Sequence, residues 1–299
     1  MPTSPVLLQP RSAEEAVALL DRYEDDAKVV AGATALTIML RQGLIAPRAL
    51  VSIGGLPGLR AIEAEDGMLR LGALATHREV ELNRLVQERL PVLASTFGRV
   101  ANVRVRNVAT VGGVLAEADY ASDPPAVFLA LDAEVDVLGP SGARTIPIAE
   151  FFQGFYETAL GPNELVTGVR VPLPAAGTAA VYEKFITRSS EDRPCLGVIA
   201  AVRLADDGRT CAELRVGVGA ASETPQRFPE FEAQAQGQEL TEDLLRTIAD
   251  RYAESIDTLA DLRGSAWYRT EMVRVWVRRA AERARDAALS ASRLHFERG

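Results

Sequence analysis

Two short segments of small residues could bring the polypeptide backbone close to a ligand. The first is Ala31-Gly32-Ala33-Thr34, between a predicted strand that includes Val30 and a predicted helix. Small side chains let a backbone approach a ligand, and a helix start offers unpaired N–H groups and a partial positive charge that suit a phosphate. A plain strand-to-helix connection has the same sequence character, so both interpretations stay open.

The second segment is Thr110-Val111-Gly112-Gly113. Adjacent glycines permit conformations that point successive N–H groups into one concavity, which suits a pyrophosphate, although an ordinary turn is the alternative. Asp123, ten residues further on, could accept hydrogen bonds from ribose hydroxyls, cap the helix that begins at Pro124, or do both. Gly217-Val218-Gly219 resembles half of a dinucleotide fingerprint but lies at a strand end without a third glycine, which favours a structural role.

Hydrophobic spacing and capping residues predict the elements that must position these segments. Ser12 with Glu15 has the form of a capping box and predicts a helix over 12–25. Thr76 is the predicted N-cap of one continuous helix that ends near Leu90. Further helices are predicted near 34–43, 91–102, from 123, 241–257 and 265–288, and strands over 28–32, 49–53, 68–73, 134–138, 142–148, 180–187, 197–204 and 212–219.

The composition excludes several classes of protein. The chain of 299 residues is 47% hydrophobic and 25% charged, which is typical of a globular protein, and its net charge of −8 argues against nucleic acid as a partner. No apolar run reaches the roughly 18 residues of a membrane span. The N-terminal residues lack a basic segment followed by an apolar one, so we expect a cytoplasmic protein, with association with the inner face of a membrane left open.

Metal-ligating side chains are scarce. Two cysteines, Cys195 and Cys211, and two histidines, His77 and His295, are too few for a cluster held by four cysteines or a histidine-based centre, so we expect no metal on this chain. We expect His77 to lie at the surface and Cys195 to be a buried, inert thiol. The sequence shows no acid/base pair for substrate activation, so no catalytic residue is assigned.

Taken together, the motifs resemble the FAD-binding (medium) subunit of the molybdenum hydroxylase family, near the medium subunits of carbon monoxide dehydrogenase and the FAD subunit of xanthine dehydrogenase. The resemblance runs over nearly the whole chain. It is carried by AGAT at 31–34, RVRNVATVGG at 104–113, SDPP at 122–125, LALDAEV at 129–135, VYEKF at 181–185, ASETP at 221–225 and SAWYR at 265–269.

The resemblance implies an α+β fold. Its FAD-binding domain, of the vanillyl-alcohol-oxidase/PCMH type, would cover 1–175, with subdomains of about 1–56 and 57–175 that hold the dinucleotide. A C-terminal antiparallel sheet with helices would cover 176–290, followed by a tail over 291–299. The implied FAD contacts are Val30, Ala31, Gly32, Ala33, Thr34, Ala101, Thr110, Val111, Gly112, Gly113, Val114, Asp123 near the adenosine, and Lys184 near the flavin.

The resemblance also implies that the chain carries FAD and transfers electrons from iron–sulfur clusters to an external acceptor. Molybdopterin would sit on a large subunit, which sets the substrate, and two [2Fe–2S] clusters on a small subunit, with the three subunits paired into a dimer of heterotrimers. The chain departs from the family at Ala33, where a glycine is usual, and at Val114, where an asparagine is usual. Two alternatives stay open: a self-contained flavin oxidase, and a scaffold subunit that has lost FAD.

Overall fold

The computed structural model describes residues 4–296 of the chain. The strands are β1 (Val6–Leu8), β2 (Ala27–Val30), β3 (Ala49–Ser52), β4 (Ile62–Glu65), β5 (Met68–Gly72), β6 (Glu134–Gly139), β7 (Gly142–Pro147), β8 (Phe152–Gly154), β9 (Glu157–Thr158), β10 (Leu165–Pro172), β11 (Ala179–Phe185), β12 (Leu196–Leu204) and β13 (Cys211–Gly219). The helices are α1 (Ala13–Tyr23), α2 (Leu36–Arg41), α3 (His77–Leu82), α4 (Arg84–Arg89), α5 (Pro91–Gly98), α6 (Val103–Arg106), α7 (Val111–Glu117), α8 (Pro124–Ala130), α9 (Ile148–Phe151), α10 (Pro229–Glu232), α11 (Glu242–Ser255) and α12 (Ala266–Phe296).

These elements form two compact units whose segments interleave along the chain. The first unit contains residues up to Arg89, Ala101–Asp119 and Ala133–Pro172, and the second contains Leu90–Val100, Tyr120–Asp132 and the chain from Leu173 onward. Helices α5 and α8 therefore group with the C-terminal elements, although they precede the end of the first unit in sequence. In residues 4–296 no helix combines the length and apolar character needed to cross a bilayer.

The first unit opens with the parallel sheet β1-β3-β2. Helix α1 buries Ala16, Val17 and Leu20 in the same apolar cluster as Ala49 and Val51 of β3, because these α1 residues follow helical spacing and the β3 residues alternate. Since β2 and β3 run parallel, with Val30 opposite Ser52, their carboxyl ends lie at the same edge of the sheet. The Ala31–Thr34 segment leaves the sheet at this edge, where ligands commonly bind in such sheets.

An antiparallel sheet, β4-β5-β10-β6-β7, completes most of the first unit. The predicted hairpin is confirmed: β6 pairs with β7 from Glu134 opposite Pro147 to Gly139 opposite Gly142. In β6 the odd-numbered residues Val135 and Val137 are buried, as expected for a strand with one apolar face.

The predictions for the helix after Thr76 and for the capping box at Ser12 were wrong in part. The helix expected from Thr76 to Leu90 is two helices, α3 and α4, because Asn83 adopts an extended backbone and its side chain accepts from the Val86 N–H. Thr76 does cap α3 in a complete capping box with Glu79. At α1 only half of the predicted box forms: Ser12 accepts from the Glu15 N–H, but the Glu15 carboxylate accepts from the N–H of Arg11 rather than that of Ser12.

The second unit is built on the antiparallel sheet β11-β12-β13. Helices α11 and α12 bury a continuous apolar cluster with it, which includes Val198 and Ala200 on β12 and Val277 on α12. Helix α12 continues through Phe296, beyond the predicted end at 288, because neither glycine nor proline interrupts the sequence before Gly299. The predicted tail over 291–299 is therefore helical to 296, and 297–299 lie outside the described residues.

Glycines on β13 let α8 approach the sheet closely. A Cβ at Gly217 would stand 2.5 Å from the Ala126 carbonyl oxygen, and one at Gly219 would stand 3.0 Å from the Ala126 Cβ. The structural interpretation of this glycine pair is thus confirmed. Their consequence for the site is that Asp123, immediately before α8, comes within reach of side chains on β11.

Candidate functional site

The first turn, Ala31–Thr34, presents backbone N–H groups that the protein does not use. Among residues 4–296 no acceptor is found for the N–H groups of Gly32, Ala33 and Thr34. Ala33 is left-handed, with φ of 55°, a conformation that turns successive N–H groups of such a turn toward one side. Successive open donors in a turn suit an anion, so this part of the chain fits the pyrophosphate of a dinucleotide.

The helix after this turn is shorter than predicted. Helix α2 spans only Leu36–Arg41, rather than beginning at Thr34, and its N-cap, Ala35, has no side chain that accepts a hydrogen bond. A macrodipole grows with the number of aligned peptide units, so a helix this short adds little to anion binding. The open N–H groups of the turn, rather than the helix dipole, are therefore what the structure offers a phosphate.

The second turn, Thr110–Val114, differs because its N–H groups are already paired. Val111 donates to Ala75 O at 2.9 Å, Gly112 donates to Ala73 O at 2.8 Å, and Gly113 donates to the Thr110 hydroxyl at 3.1 Å. Val114 donates to the Thr110 carbonyl as α7 begins. Of the two interpretations that the sequence left open, this pairing favours the ordinary turn, because Thr110 caps α7 and neighbouring backbone takes the remaining N–H groups.

The glycines of both turns are required by packing inside the first unit. A Cβ at Gly32 would stand 2.0 Å from the Val108 carbonyl oxygen, and one at Gly112 would stand 2.7 Å from the Ala73 Cβ. A Cβ at Gly113 would stand 2.9 Å from the capping hydroxyl of Thr110. Neighbouring protein, rather than a ligand, explains why a side chain is excluded at these positions.

The remaining predicted contacts in the first unit lie near these turns in sequence or in space. Ala101 is also left-handed, with φ of 43°, and its carbonyl accepts from the Arg106 guanidinium at 2.8 Å. Val114 is buried in α7, so an apolar side chain fills the place where the family usually has asparagine. Gly32 brings the first turn against Val108 and Ala109, directly before Thr110, so the two turns are neighbours.

Asp123 lies in the second unit and is only 3% exposed. Its side chain does not cap α8, so that alternative is wrong; both carboxylate oxygens are engaged elsewhere. Oδ1 accepts from the Tyr182 hydroxyl at 2.7 Å and Oδ2 from the Lys184 Nζ at 3.0 Å. Burial raises the pKa of Asp123, while the Lys184 ammonium and the Tyr182 hydroxyl oppose that rise. A carboxylate accepts about four hydrogen bonds, so Asp123 retains capacity for hydroxyl donors of a ligand.

Lys184 forms a buried ion pair rather than an exposed charge. Its side chain is 5% exposed, and its ammonium also donates to the Arg99 carbonyl at 2.9 Å. Sequence reasoning placed Asp123 and Lys184 at different parts of a cofactor, but the structure joins them directly. The lysine charge is therefore largely balanced within the second unit.

Sequence reasoning missed Tyr182, which touches Asp123 directly. A tyrosine two residues before Lys184 on β11 has its side chain on the same face, so the period of a strand was the available signal. Burial and the Asp123 carboxylate raise the pKa of Tyr182 well above its ordinary value, so the phenol is a hydrogen-bond donor to Asp123 at neutral pH.

Two further expectations have clear outcomes. His77 is 3% exposed rather than at the surface, its backbone N–H donates to Ala109 O, and burial lowers its pKa to about 4. Cys195 is fully buried, as expected, and burial raises the pKa of its thiol. In residues 4–296 no group of three or more histidine, cysteine or carboxylate side chains is arranged to hold a metal ion.

The comparisons with known proteins cover both halves of the chain. Residues 3–174 match the model of the FAD binding domain in molybdopterin dehydrogenase, and residues 181–284 match that of the CO dehydrogenase flavoprotein C-terminal domain. The chain belongs to the molybdopterin dehydrogenase FAD-binding family. The predicted family is therefore confirmed, together with the assignment to an FAD-carrying oxidoreductase subunit.

Individual relatives of this family are similar over nearly their full length. The carbon monoxide dehydrogenase medium chain of Hydrogenophaga pseudoflava is 34% identical over 92% of this chain and 95% of its own. The glyceraldehyde dehydrogenase medium chain of Sulfolobus acidocaldarius is 30% identical over 90% of this chain and 94% of its own. The solved structure of the Hydrogenophaga carbon monoxide dehydrogenase that lacks the Mo-pyranopterin moiety superposes with a TM-score of 0.92 at 34% identity, covering 96% of this chain and 99% of that chain. The predicted α+β fold class is thereby confirmed.

Proposed function

We propose that this chain binds one FAD non-covalently and passes electrons from an iron–sulfur partner to an external acceptor. Family membership across both halves of the chain supports this, and the open N–H groups of the first turn are the observation on the molecule that carries it. Bound FAD supplies reversible two-electron redox chemistry. The chain's own task is to bind and orient that group.

The N–H groups of Gly32, Ala33 and Thr34 would hold the pyrophosphate. Val30 and Ala31 precede these donors at the end of β2, and Ala101 with Thr110–Val114 would flank the cofactor through backbone and buried side chains rather than through free N–H groups. Asp123 would accept from hydroxyls of the adenosine portion, as the resemblance implies. Lys184, which the resemblance places near the flavin, has its Nζ 3.0 Å from Asp123 Oδ2, so it would lie beside the same portion of the cofactor as Asp123. None of these residues abstracts a proton from a substrate in this proposal.

The proposed partners are those that the resemblance to the family implies. A large molybdopterin subunit would act on the substrate, and a small subunit with two [2Fe–2S] clusters would deliver electrons, with the assembly a dimer of heterotrimers in the cytoplasm. One relative is named as the medium chain of a dehydrogenase and another as the medium subunit of a hydroxylase, and these names support a multi-subunit complex. The substrate would be set by the large subunit.

A native pull-down tests the function directly. The chain, tagged and isolated from its own cells, should co-purify with two subunits, and the preparation should contain molybdenum, iron and FAD. Acid denaturation should release intact FAD into the supernatant, because neither glycine turn contains a histidine or cysteine for a covalent link. Flavin that stays with the precipitated chain would refute non-covalent binding.

The two alternatives give different results in the same experiments. A scaffold subunit would co-purify with partners yet show no flavin absorbance after expression alone and incubation with FAD. A self-contained oxidase would oxidise an organic substrate robustly as the isolated 299-residue chain. The electron-transfer proposal expects flavin in the isolated chain and substrate oxidation only when the partners are co-expressed.

A further inference from the structure

Four hydrogen bonds connect Tyr182, Asp123, Lys184 and Arg99 in a closed ring. The Tyr182 hydroxyl donates to Asp123 Oδ1 at 2.7 Å, and Lys184 Nζ donates to Asp123 Oδ2 at 3.0 Å. Lys184 Nζ also donates to the Arg99 carbonyl at 2.9 Å. The Arg99 guanidinium in turn donates to the Tyr182 carbonyl at 2.8 Å, which closes the ring. The Asp123 carboxylate is therefore held from both of its oxygens.

The Tyr182 hydroxyl fits beside β12 because Gly197 has no side chain. Gly197 lies opposite Lys184 in the pairing of β11 with β12, and a Cβ there would stand 2.2 Å from the Tyr182 hydroxyl oxygen. The phenol could not reach Asp123 if this residue had a side chain. Tyr182 itself is 4% exposed, so the hydroxyl has no ready access to water. A buried hydroxyl in a space kept by a glycine is a specific arrangement rather than general packing.

We propose that Tyr182 is a positioning residue for FAD binding, which fixes the Asp123 carboxylate so that its remaining lone pairs meet hydroxyl donors of the adenosine portion. The inference rests on the proposed function, because Asp123 is assigned to FAD there. Lys184 alone leaves the carboxylate free to rotate about its Oδ2 contact. The second bond, from Tyr182, removes that freedom before the ligand arrives, and a group already held in place loses less entropy on binding.

The test is the Tyr182→Phe variant of the full chain, freed of flavin and titrated with FAD by fluorescence. The variant keeps the ring and removes only the hydroxyl, and Lys184 still neutralises Asp123, so the chain should fold. Loss of a hydrogen bond to a charged group should raise the Kd for FAD about tenfold. Circular dichroism and urea unfolding of the apo chain establish that the fold is retained.

The matched control is Tyr252→Phe. Tyr252 is another buried tyrosine of the second unit, and its hydroxyl lies 3.2 Å from Oε1 of the buried Glu232. This variant also removes a phenol from a buried carboxylate, but it leaves Asp123 untouched. The Kd for FAD should stay within about twofold of wild type, whatever stability is lost.

The pH profile separates positioning from a general loss of structure. The groups that face Asp123 are the Lys184 ammonium, the Tyr182 hydroxyl and the Arg99 guanidinium, and each favours the ionised carboxylate. Without the Tyr182 hydroxyl the pKa of Asp123 rises further, so as the pH is lowered FAD binding should weaken at a higher pH than in wild type. Tyr252→Phe should keep the wild-type profile.

The outcomes are distinct. A raised Kd and a shifted profile in Tyr182→Phe alone support the positioning role. An unchanged Kd and profile in that variant, or the same changes in Tyr252→Phe, overturn it while the proposed function stands. A wild-type chain that does not bind FAD refutes the proposed function, and the positioning role with it.

Discussion

The two small-residue turns of the first unit look alike in sequence but use their backbones in different ways. The first turn, Ala31–Thr34, leaves the N–H groups of Gly32, Ala33 and Thr34 without acceptors in the described chain. In the second turn, Thr110–Val114, the N–H groups donate to the carbonyls of Ala75 and Ala73 and to the capping residue Thr110. In both turns the glycines are required by neighbouring protein, and only the first turn also leaves backbone N–H groups open to a ligand.

The largest expected effect comes from placing a charge in the first turn. Ala33→Asp should weaken FAD binding about 100-fold, because a carboxylate would face the pyrophosphate at close range. Asp and Asn both tolerate the left-handed conformation of Ala33, so the fold should be retained. FAD titration of Ala33→Asn, the uncharged control, should give a Kd close to that of wild type. If Ala33→Asp binds FAD normally, the first turn does not hold the phosphates.

The second turn should respond through stability rather than through affinity. Gly112→Ala places a Cβ 2.7 Å from the Ala73 Cβ, and overpacking of this kind costs about 1–3 kcal/mol in the free energy of unfolding. Urea unfolding measures that loss, and the folded fraction should bind FAD with a nearly unchanged Kd. Gly54→Ala is the control, since a Cβ there meets no atom within 4 Å and should cost little. A large rise in Kd at full stability would contradict this division of roles.

The second turn should also be sensitive to acid through His77. Burial lowers the pKa of His77 to about 4. Below about pH 6.5, His77 therefore becomes protonated in the unfolded chain while it stays neutral in the folded chain. The contribution of the neutral His77 ring to the free energy of unfolding is fully present above about pH 6.5 and is lost as the pH falls toward 4. Urea unfolding should show a loss of about 2 kcal/mol between pH 7 and pH 5 from this group.

His77→Gln is the matched variant for this measurement, because glutamine is polar and cannot titrate. The variant should be less dependent on pH over the same interval, whatever its stability at neutral pH. An equal loss of stability in wild type and variant between pH 7 and pH 5 would show that other groups cause the acid sensitivity.

The smallest effect is expected from restoring a glycine in the first turn. The left-handed conformation of Ala33 costs about 1–2 kcal/mol, which glycine would avoid. Glycine loses more backbone entropy on folding, however, and this offsets most of the benefit. Ala33→Gly should therefore raise the free energy of unfolding by less than about 1 kcal/mol. FAD affinity should stay equal or rise slightly. Ala220→Gly, at a left-handed alanine of the second unit, should give a similar change in stability and none in FAD affinity. Weaker FAD binding by Ala33→Gly would contradict a turn preorganised for phosphate.

Much of the local structure could be predicted from the sequence. Thr76 with Glu79, the hairpin of β6 and β7, and the strands of the second unit follow from capping residues and periodicity, which act over a few residues. The break at Asn83 was missed because the helical spacing of apolar residues continues across it, while the Asn83 side chain accepts from the Val86 N–H and so starts a new helix. The end of α12 was predicted too early, at 288, although no glycine or proline stands there to end the helix.

The family and its FAD were determined by the sequence alone, because paired motifs at fixed spacing identify them without coordinates. Which backbone groups remain open, and which side chains meet, was decided only by tertiary structure. The sequence left open whether Gly112 lies in an ordinary turn or in a phosphate-binding one, and the structure packs it against Ala73. It also left open whether Asp123 caps α8, binds ribose or does both, and the structure pairs its carboxylate with Lys184, 61 residues away in sequence. Hydrogen-bond partners so distant along the chain are fixed by how α8 and β11 pack, and no local spacing encodes that distance.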